Sequence, residues 1–364
     1  MNIPFHRPSI TAAERAAVET VLREGPLTKG PCVERLESCV AARLAVKYAV
    51  AACSGSAALH LALLGAGIGS GDEVLVPTLT FAATALAVTH VGARVVLVDV
   101  DESLTMSVED ASARIGPRTR AIMPVSFAGL PVDPRLYELA RQHRLVVIED
   151  AAHAFGARLN GQFVGKLAHI TCFSFYATKP VAGGEGGMLV TDDTTTARLA
   201  RMLRWHGIEG GELIAPGWKY NLAEMPAALA LAQLERCDEM LRRRKSIAAT
   251  YRAHLSPHFW VQPERLNAMS ADHLFVICPW SGSRDSLADC LAERGIETSR
   301  HYTPLHRSPL YRDERKFSQA DWYADRCVSL PIWPDMTDTE VEYVIASLMG
   351  WLAGSSPRSQ GSQS

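Results

Sequence analysis

Lys179 closes an apolar, aromatic run, Phe173-Ser174-Phe175-Tyr176-Ala177-Thr178-Lys179-Pro180, and is followed by the loop Gly183-Gly184-Glu185-Gly186-Gly187. An ammonium in such a setting loses solvation, its pKa falls toward the nucleophilic range, and the amine becomes able to form a Schiff base with a carbonyl. Two other segments supply what that chemistry needs. Val147-Ile148-Glu149-Asp150-Ala151-Ala152-His153 is a strand-like run ending in acid, and the carboxyl edge of an open α/β sheet is where ligands sit. An Asp there serves equally as a plain helix cap. Cys53-Ser54-Gly55-Ser56-Ala57-Ala58-Leu59-His60-Leu61 opens an apolar helix with small residues, whose free backbone N–H groups suit a phosphate. Small-residue helix starts are common, so that segment decides little alone. Together, a phosphate anchor, a strand-end anion and a loop amine match the phosphate, the pyridine nitrogen and the aldehyde of pyridoxal phosphate (PLP).

The elements that must position these groups follow from pattern. Up to about residue 200 helix-like and strand-like segments alternate, which predicts an α/β layer architecture. Thr11 and Glu14 form a capping box for a helix running toward Arg23, and Gly25-Pro26 stops it. The short apolar runs 73–76, 95–98, 121–125 and 145–148 read as buried parallel strands, and 170–176 and 187–191 as further strands. Beyond Pro226 an Ala- and Leu-rich helical pattern runs through Leu234 into Arg242, Arg243, Arg244 and Lys245, read as a solvated helix face. A smaller α/β pattern follows, with a strand at 273–278, a helix at 286–294 and a last helix at 337–352. The resulting division is a large domain over 1–240, a small C-terminal domain over 241–353, and a disordered tail over 354–364.

Composition narrows the partners. The 364 residues are 48% hydrophobic and 21% charged, the balance of a globular protein, with a formal net charge of -2 that sets up no field for nucleic acid or an anionic membrane. No apolar run approaches the roughly 18 residues of a membrane span, and Met1 to Ile10 lack the apolar core of a signal peptide. Eight cysteines without a Cys-x-x-Cys pair read as reduced thiols in the cytoplasm. His301 and His306 have no further ligand cluster beside them, so no metal is assigned. His90 and His143 read as ordinary surface or packing residues.

Five motifs in order resemble the DegT/DnrJ/EryC1/StrS sugar aminotransferases, PLP enzymes of fold type I. They are Gly25-Pro26-Leu27-Thr28-Lys29-Gly30-Pro31, Ser54 to Leu61, Pro77-Thr78-Leu79-Thr80-Phe81-Ala82-Ala83-Thr84, Glu149 to His153, and Phe173 through Lys179 to Gly187. The resemblance spans roughly residues 3 to 350. It implies a large domain built on a mostly parallel seven-stranded sheet, a smaller C-terminal α/β domain, and a homodimer with shared active sites. By the same resemblance Lys179 binds the cofactor covalently and shuttles a proton, and Asp150 keeps the pyridine nitrogen protonated. Gly55, Ser56, Ala57 and Ser174 match its phosphate contacts, Phe81 the ring against the pyridine face, and His153 a position near the cofactor. Gly217-Trp218-Lys219-Tyr220-Asn221-Leu222 matches a segment that reaches the partner's site through Lys219 and Asn221. Thr28 and the segment His301-Tyr302-Thr303-Pro304-Leu305-His306 match sugar-nucleotide contacts, carried by His301, Tyr302 and His306.

The Lys219-Tyr220-Asn221 version and the opening Pro4-Phe5-His6-Arg7-Pro8 resemble the subgroup that aminates UDP-linked 4-keto sugars. The stretch 205–216 is shorter than in that subgroup, and Pro180-Val181-Ala182-Gly183 departs from its usual sequence. The implied reaction is ping-pong transfer of an amino group from L-glutamate to a keto-sugar nucleotide, at sugar C4 or, as also occurs in the family, C3. The rivals are a sugar dehydratase, which carries His in place of the Schiff-base lysine, and a non-catalytic PLP-binding regulatory protein. Lys179 argues against the first, and Asp150, Ser174 and Lys179 together against the second.

Overall fold

The computed structural model describes residues 1–355. Thr11 caps α1 (Ala12–Glu24) through the expected box: its side chain accepts the Ala13 N–H, and Glu14 reaches back to the Thr11 N–H at 2.8 Å. α2 (Pro31–Leu44) starts on a proline, whose missing N–H costs nothing in a first turn. There follow β1 (Tyr48–Ala52), α3 (Gly55–Gly65), β2 (Glu73–Pro77), α4 (Ala82–His90), β3 (Arg94–Val98), α5 (Val108–Ala113), β4 (Thr119–Ile122), α6 (Arg135–His143) and β5 (Val146–Asp150). A small hairpin, β6 (Arg158–Leu159) and β7 (Gln162–Phe163), precedes β8 (Ile170–Ser174) and β9 (Gly187–Thr191).

Seven of these strands form one sheet in the order β1-β9-β8-β5-β4-β2-β3. The four runs expected as parallel strands are β2, β3, β4 and β5, and they pair in parallel. β9 pairs antiparallel with both β1 and β8, so it alone runs against the rest. β1, Tyr-Ala-Val-Ala-Ala, escaped the sequence reading because alanine favours helix; pairing with β9 in a buried position makes it a strand. The shared direction of the other strands has a functional consequence. β1, β2, β5 and β8 all release the chain at one sheet edge, and there it turns into the segments carrying Gly55, Phe81, Asp150 and Lys179.

The chain continues through α7 (Thr194–Leu203), the hairpin β10 (Ile208–Glu209) and β11 (Glu212–Leu213), and the 32-residue α8 (Glu224–Leu255). Residue 240, where composition suggests a change of domain, lies inside α8. Next come β12 (Phe259–Val261), β13 (Ala268–Met269), β14 (Phe275–Pro279), α9 (Arg284–Glu293), α10 (Ser318–Arg326), β15 (Val328–Leu330) and α11 (Asp338–Ser355). β12, β14 and β15 make a separate antiparallel sheet, whose core includes Tyr251, Phe275, Trp333 and Leu348 and takes in Ile3 from the other end of the chain. Of the predicted tail, residues 354 and 355 continue α11, and 356–364 lie outside the described residues.

The basic cluster on α8 is only partly a solvated face. Arg242 and Lys245 are exposed, but Arg244 is 2% exposed and donates to the Ile332 carbonyl at 2.8 Å, while Arg243 donates to the Met336 carbonyl. The segment 331–336 covers this side of the helix, which a charge count along one helix does not reveal. Among the described residues no helix is long and apolar enough to cross a membrane.

Candidate active site

A cavity of about 520 Å³ opens at the sheet edge where β1, β5 and β8 end, closed from the other side by His273, Ser299, His301 and Tyr302. At one end of it lies the start of α3. Ser54 caps this helix by accepting the Ala57 N–H at 3.1 Å, which leaves the Gly55 and Ser56 N–H groups without a partner among the described residues. Ser174 Oγ accepts the Tyr176 N–H at 3.3 Å, so its own hydrogen is free. A Cβ at Gly55 would lie 3.0 Å from the Ser174 Cβ, so only glycine lets the backbone approach this closely. Two free N–H groups at a helix start beside a free hydroxyl form a notch for a phosphate.

Asp150, at the end of β5, is 6% exposed. Its Oδ2 accepts from Thr84 Oγ1 at 2.8 Å and its Oδ1 from the Ala152 N–H at 3.1 Å, and Thr80 pairs with Thr84 at 2.9 Å behind it. Burial pushes the Asp150 pKa up, whereas the Thr84 and Ala152 hydrogen bonds and the Lys179 charge hold it back. Such a carboxylate is best matched by a cation, as a protonated pyridine nitrogen would be. Lys179 Nζ has no partner among the described residues, and burial lowers its pKa to about 8 against the opposing charge of Asp150. Phosphate notch, strand-end anion and free amine therefore fit the three parts of PLP by donor, charge and reactivity.

The imidazoles around the cavity carry no charge at neutral pH. Burial pulls His6 and His301 down to about 4 and His153 and His273 well below their ordinary value, helped by Arg244 for His6 and by Lys179 for the other three. His153 Nδ1 accepts the Ala128 N–H at 3.2 Å, and its Nε2 lies 3.2 Å from Tyr302 Oη. Phe81, 60% exposed at the start of α4, edges the cavity with its ring 5.7 Å from that of Tyr302.

Gly55, Ser56, Phe81, Asp150, His153, Ser174, Lys179, His301 and Tyr302 thus meet at one cavity. Ala57 is buried behind the notch, its N–H taken by Ser54. Thr28, Lys219 and Asn221 stand apart from it: Asn221 donates to Thr28 Oγ1 at 3.0 Å, and Lys219 Nζ lies 3.6 Å from the centre of the Trp205 ring, which also carries Lys29. His306 departs from its expected place. It is buried outside the cavity lining, with Thr78 on Nδ1 at 2.8 Å, Asp321 on Nε2 at 3.1 Å and Phe317 stacked on its ring, so its nitrogens brace the 301–306 segment.

Several cavity residues were not among the site residues expected from the sequence, although Phe5 and His6 lie in the quoted opening segment. Phe5 and His6 arrive from the N-terminus, where Glu297 accepts the Phe5 N–H at 3.0 Å and the Ala177 carbonyl holds His6 at 3.1 Å. Thr84 sits in a quoted motif, but its hold on Asp150 spans 66 positions and only folding reveals it. Glu185 and His273 also line the cavity.

The sequence model of the DegT/DnrJ/EryC1/StrS aminotransferase family matches residues 8–349. Among solved structures, DesV of S. venezuelae, in complex with a ketimine intermediate, is 37% identical with a TM-score of 0.89, covering 93% of this chain and 94% of its own. The PMP-form of a Streptococcus pneumoniae protein described as a sugar aminotransferase is 29% identical with a TM-score of 0.93, covering 98% of this chain and 100% of its own. Helicobacter pylori PseC, an aminotransferase involved in the biosynthesis of pseudoaminic acid, is 26% identical with a TM-score of 0.93, covering 97% and 100%. Site chemistry and family agree on the cofactor, and the chain belongs to the DegT/DnrJ/EryC1/StrS aminotransferase family, as a PLP-dependent sugar aminotransferase of fold type I.

Proposed function

We propose that the chain transfers the amino group of L-glutamate to a UDP- or dTDP-linked keto sugar, at C4, as a cytoplasmic homodimer with shared active sites. The observation that carries this reading is the convergence of the unpartnered Lys179 amine, the Thr84-held Asp150 and the Gly55–Ser174 notch at one cavity. Bound PLP supplies an aldehyde that takes up an amino group and a ring that draws electrons when its nitrogen is protonated. Lys179 Nζ anchors that aldehyde in the resting enzyme and, once released, moves the proton between the substrate carbon and the cofactor. The Asp150 carboxylate keeps the ring nitrogen protonated. Gly55, Ser56 and Ser174 hold the phosphate, with Ala57 packed behind, Phe81 covers the ring, and His153 lies at its edge. His301 and Tyr302 face the sugar, and His306 fixes their segment.

Thr28, Lys219 and Asn221 serve the partner's site; that none of them lines the cavity of their own chain supports this assignment. The Streptococcus pneumoniae neighbour described as a sugar aminotransferase supports a sugar acceptor, and Lys219-Tyr220-Asn221 with the opening Pro4 to Pro8 supports 4-keto chemistry. The test is incubation of the PLP enzyme with glutamate and a panel of 4-keto and 3-keto sugar nucleotides, with products followed by mass spectrometry. A one-nitrogen exchange on a 4-keto member is expected. Amination of 3-keto members alone would move the position, and amination of none would reject the reading.

A further inference from the structure

The ladder between β14 and β15 brings two cysteines face to face. Its register pairs Phe275 with Leu330, Val276 with Ser329 and Ile277 with Val328, and one step further along the same register sets Cys278 opposite Cys327. In an antiparallel ladder the opposed pairs alternate between those that exchange both backbone hydrogen bonds and those that exchange none. Ser329 exchanges both of its bonds with Ser299 on its other side, at 3.2 and 2.9 Å, so its pair with Val276 is of the second kind. Cys278 and Cys327 lie two residues along, which returns the alternation to that kind, and the Cys327 N–H goes instead to the Tyr323 carbonyl at 2.7 Å. Across such a pair the Cα atoms stand about 4.5 Å apart with both side chains on one face, inside the range of about 4.4–6.8 Å that a disulfide spans. The two Sγ atoms are in contact at 2.7 Å, and both side chains are buried in one core cluster.

The segments that meet here are the ones that close the cavity. β14 starts directly after His273 and Leu274, which line it, and Ser329 on β15 holds His301 through its Oγ, 2.8 Å from Nδ1. The two cysteines are 49 positions apart, and Ser299, His301 and Tyr302 lie between them. α10, which ends at Cys327, braces the same stretch by placing Asp321 on His306. A bond between the sulfurs would therefore close a loop that carries one wall of the cavity. We propose that Cys278 and Cys327 are a disulfide-forming pair, a redox-responsive staple across β14 and β15 that fastens the cavity's closing wall. The step is an exchange with a small disulfide such as glutathione disulfide: one cysteine thiolate attacks it, the second displaces the resulting mixed disulfide, one S–S bond breaks as another forms, and the hydrogens of both thiols leave with two glutathione molecules. In a reducing cytoplasm the pair rests as thiols. Burial, with Cys278 adding to it, raises the Cys327 thiol well above its ordinary range, so exchange is slow once the chain is folded and a bond made there is shielded from reductants.

The test produces the full-length PLP-loaded protein in a host whose cytoplasm is oxidising and in an ordinary one, so that oxidation acts while the chain folds and burial is no barrier. Each sample is quenched in acid, alkylated under denaturing conditions and mapped by mass spectrometry without reduction. A cross-linked peptide joining 278 to 327 is expected from the first host, and two alkylated thiols from the second. The bonded protein should melt about 5 °C above the reduced one, and its amides over 299–306 should exchange with deuterium more slowly. In Cys278→Ala and in Cys327→Ala both differences between the hosts should vanish. Alkylated thiols at both positions in folded protein from the oxidising host, or bonds from either to another cysteine, would overturn the pairing. A 278–327 bond that left melting and exchange unchanged would overturn the staple.

Discussion

Lys179 is the ammonium of the cavity, and its placement makes it reactive before any substrate arrives. With burial holding its pKa near 8, about a tenth of the apoprotein carries a neutral amine at pH 7, where an ordinary lysine near 10.5 would offer less than about a thousandth. Capture of PLP by the apoprotein should therefore quicken about tenfold per pH unit and level off near pH 8, read as growth of the visible band. A rise continuing unchanged to pH 10 would mean the side chain is solvated. Borohydride should fix the pyridoxyl group on Lys179, and Lys179→Ala should lose turnover. Mapping of the label to another lysine would overturn the assignment. This residue was legible from its aromatic, strand-ending context. Thr84 was not, because nothing in Thr80 to Thr84 announces a hydrogen bond to a carboxylate 66 positions away.

Elements hold these residues through their ends. Glu224, in the first turn of α8 and 1% exposed, accepts from the N–H groups of Gly30, Cys32 and Val33 at 2.9, 2.7 and 3.4 Å. One helix thus caps the start of another, and Gly30 is needed because a Cβ there would meet the Glu224 carboxylate at 2.8 Å. The cap fixes the loop that carries Thr28 and Lys29. Glu224→Ala should cost about 2–3 kcal/mol in denaturant unfolding, the scale of leaving buried donors against a lost charge, and Glu224→Gln should recover part of it. A loss under about 0.5 kcal/mol would show the loop is held by something else. Pattern found α1 and most strands of the large sheet, but not α2. It missed β1, whose alanines become a strand only against β9.

At the scale of the molecule, the separation of Thr28, Lys219 and Asn221 from the cavity bears on assembly. If they complete a partner's site, Lys179→Ala mixed with Lys219→Ala/Asn221→Ala should regain activity, since the first chain lends its 219–221 segment and the second its Lys179. Symmetric random mixing makes about half the dimers mixed, each with one complete site, so about a quarter of the wild-type site count should return. Both parents must be inactive alone and able to exchange subunits. No recovery under those conditions means the segment serves its own chain.

What the sequence determined by itself were the reactive groups and their order: an amine after an aromatic strand, an acid at a strand end, a small-residue helix start. Local pattern carries these because periodicity, caps and desolvating neighbours are properties of adjacent residues. Tertiary structure decided which groups meet. Packing of segment 331–336 buried Arg244 in a helix face that reads as solvated, and Thr78 and Asp321 drew His306 away from the cavity. Those outcomes depend on contacts between distant segments, and a hydrogen bond is directional only once both partners are in place.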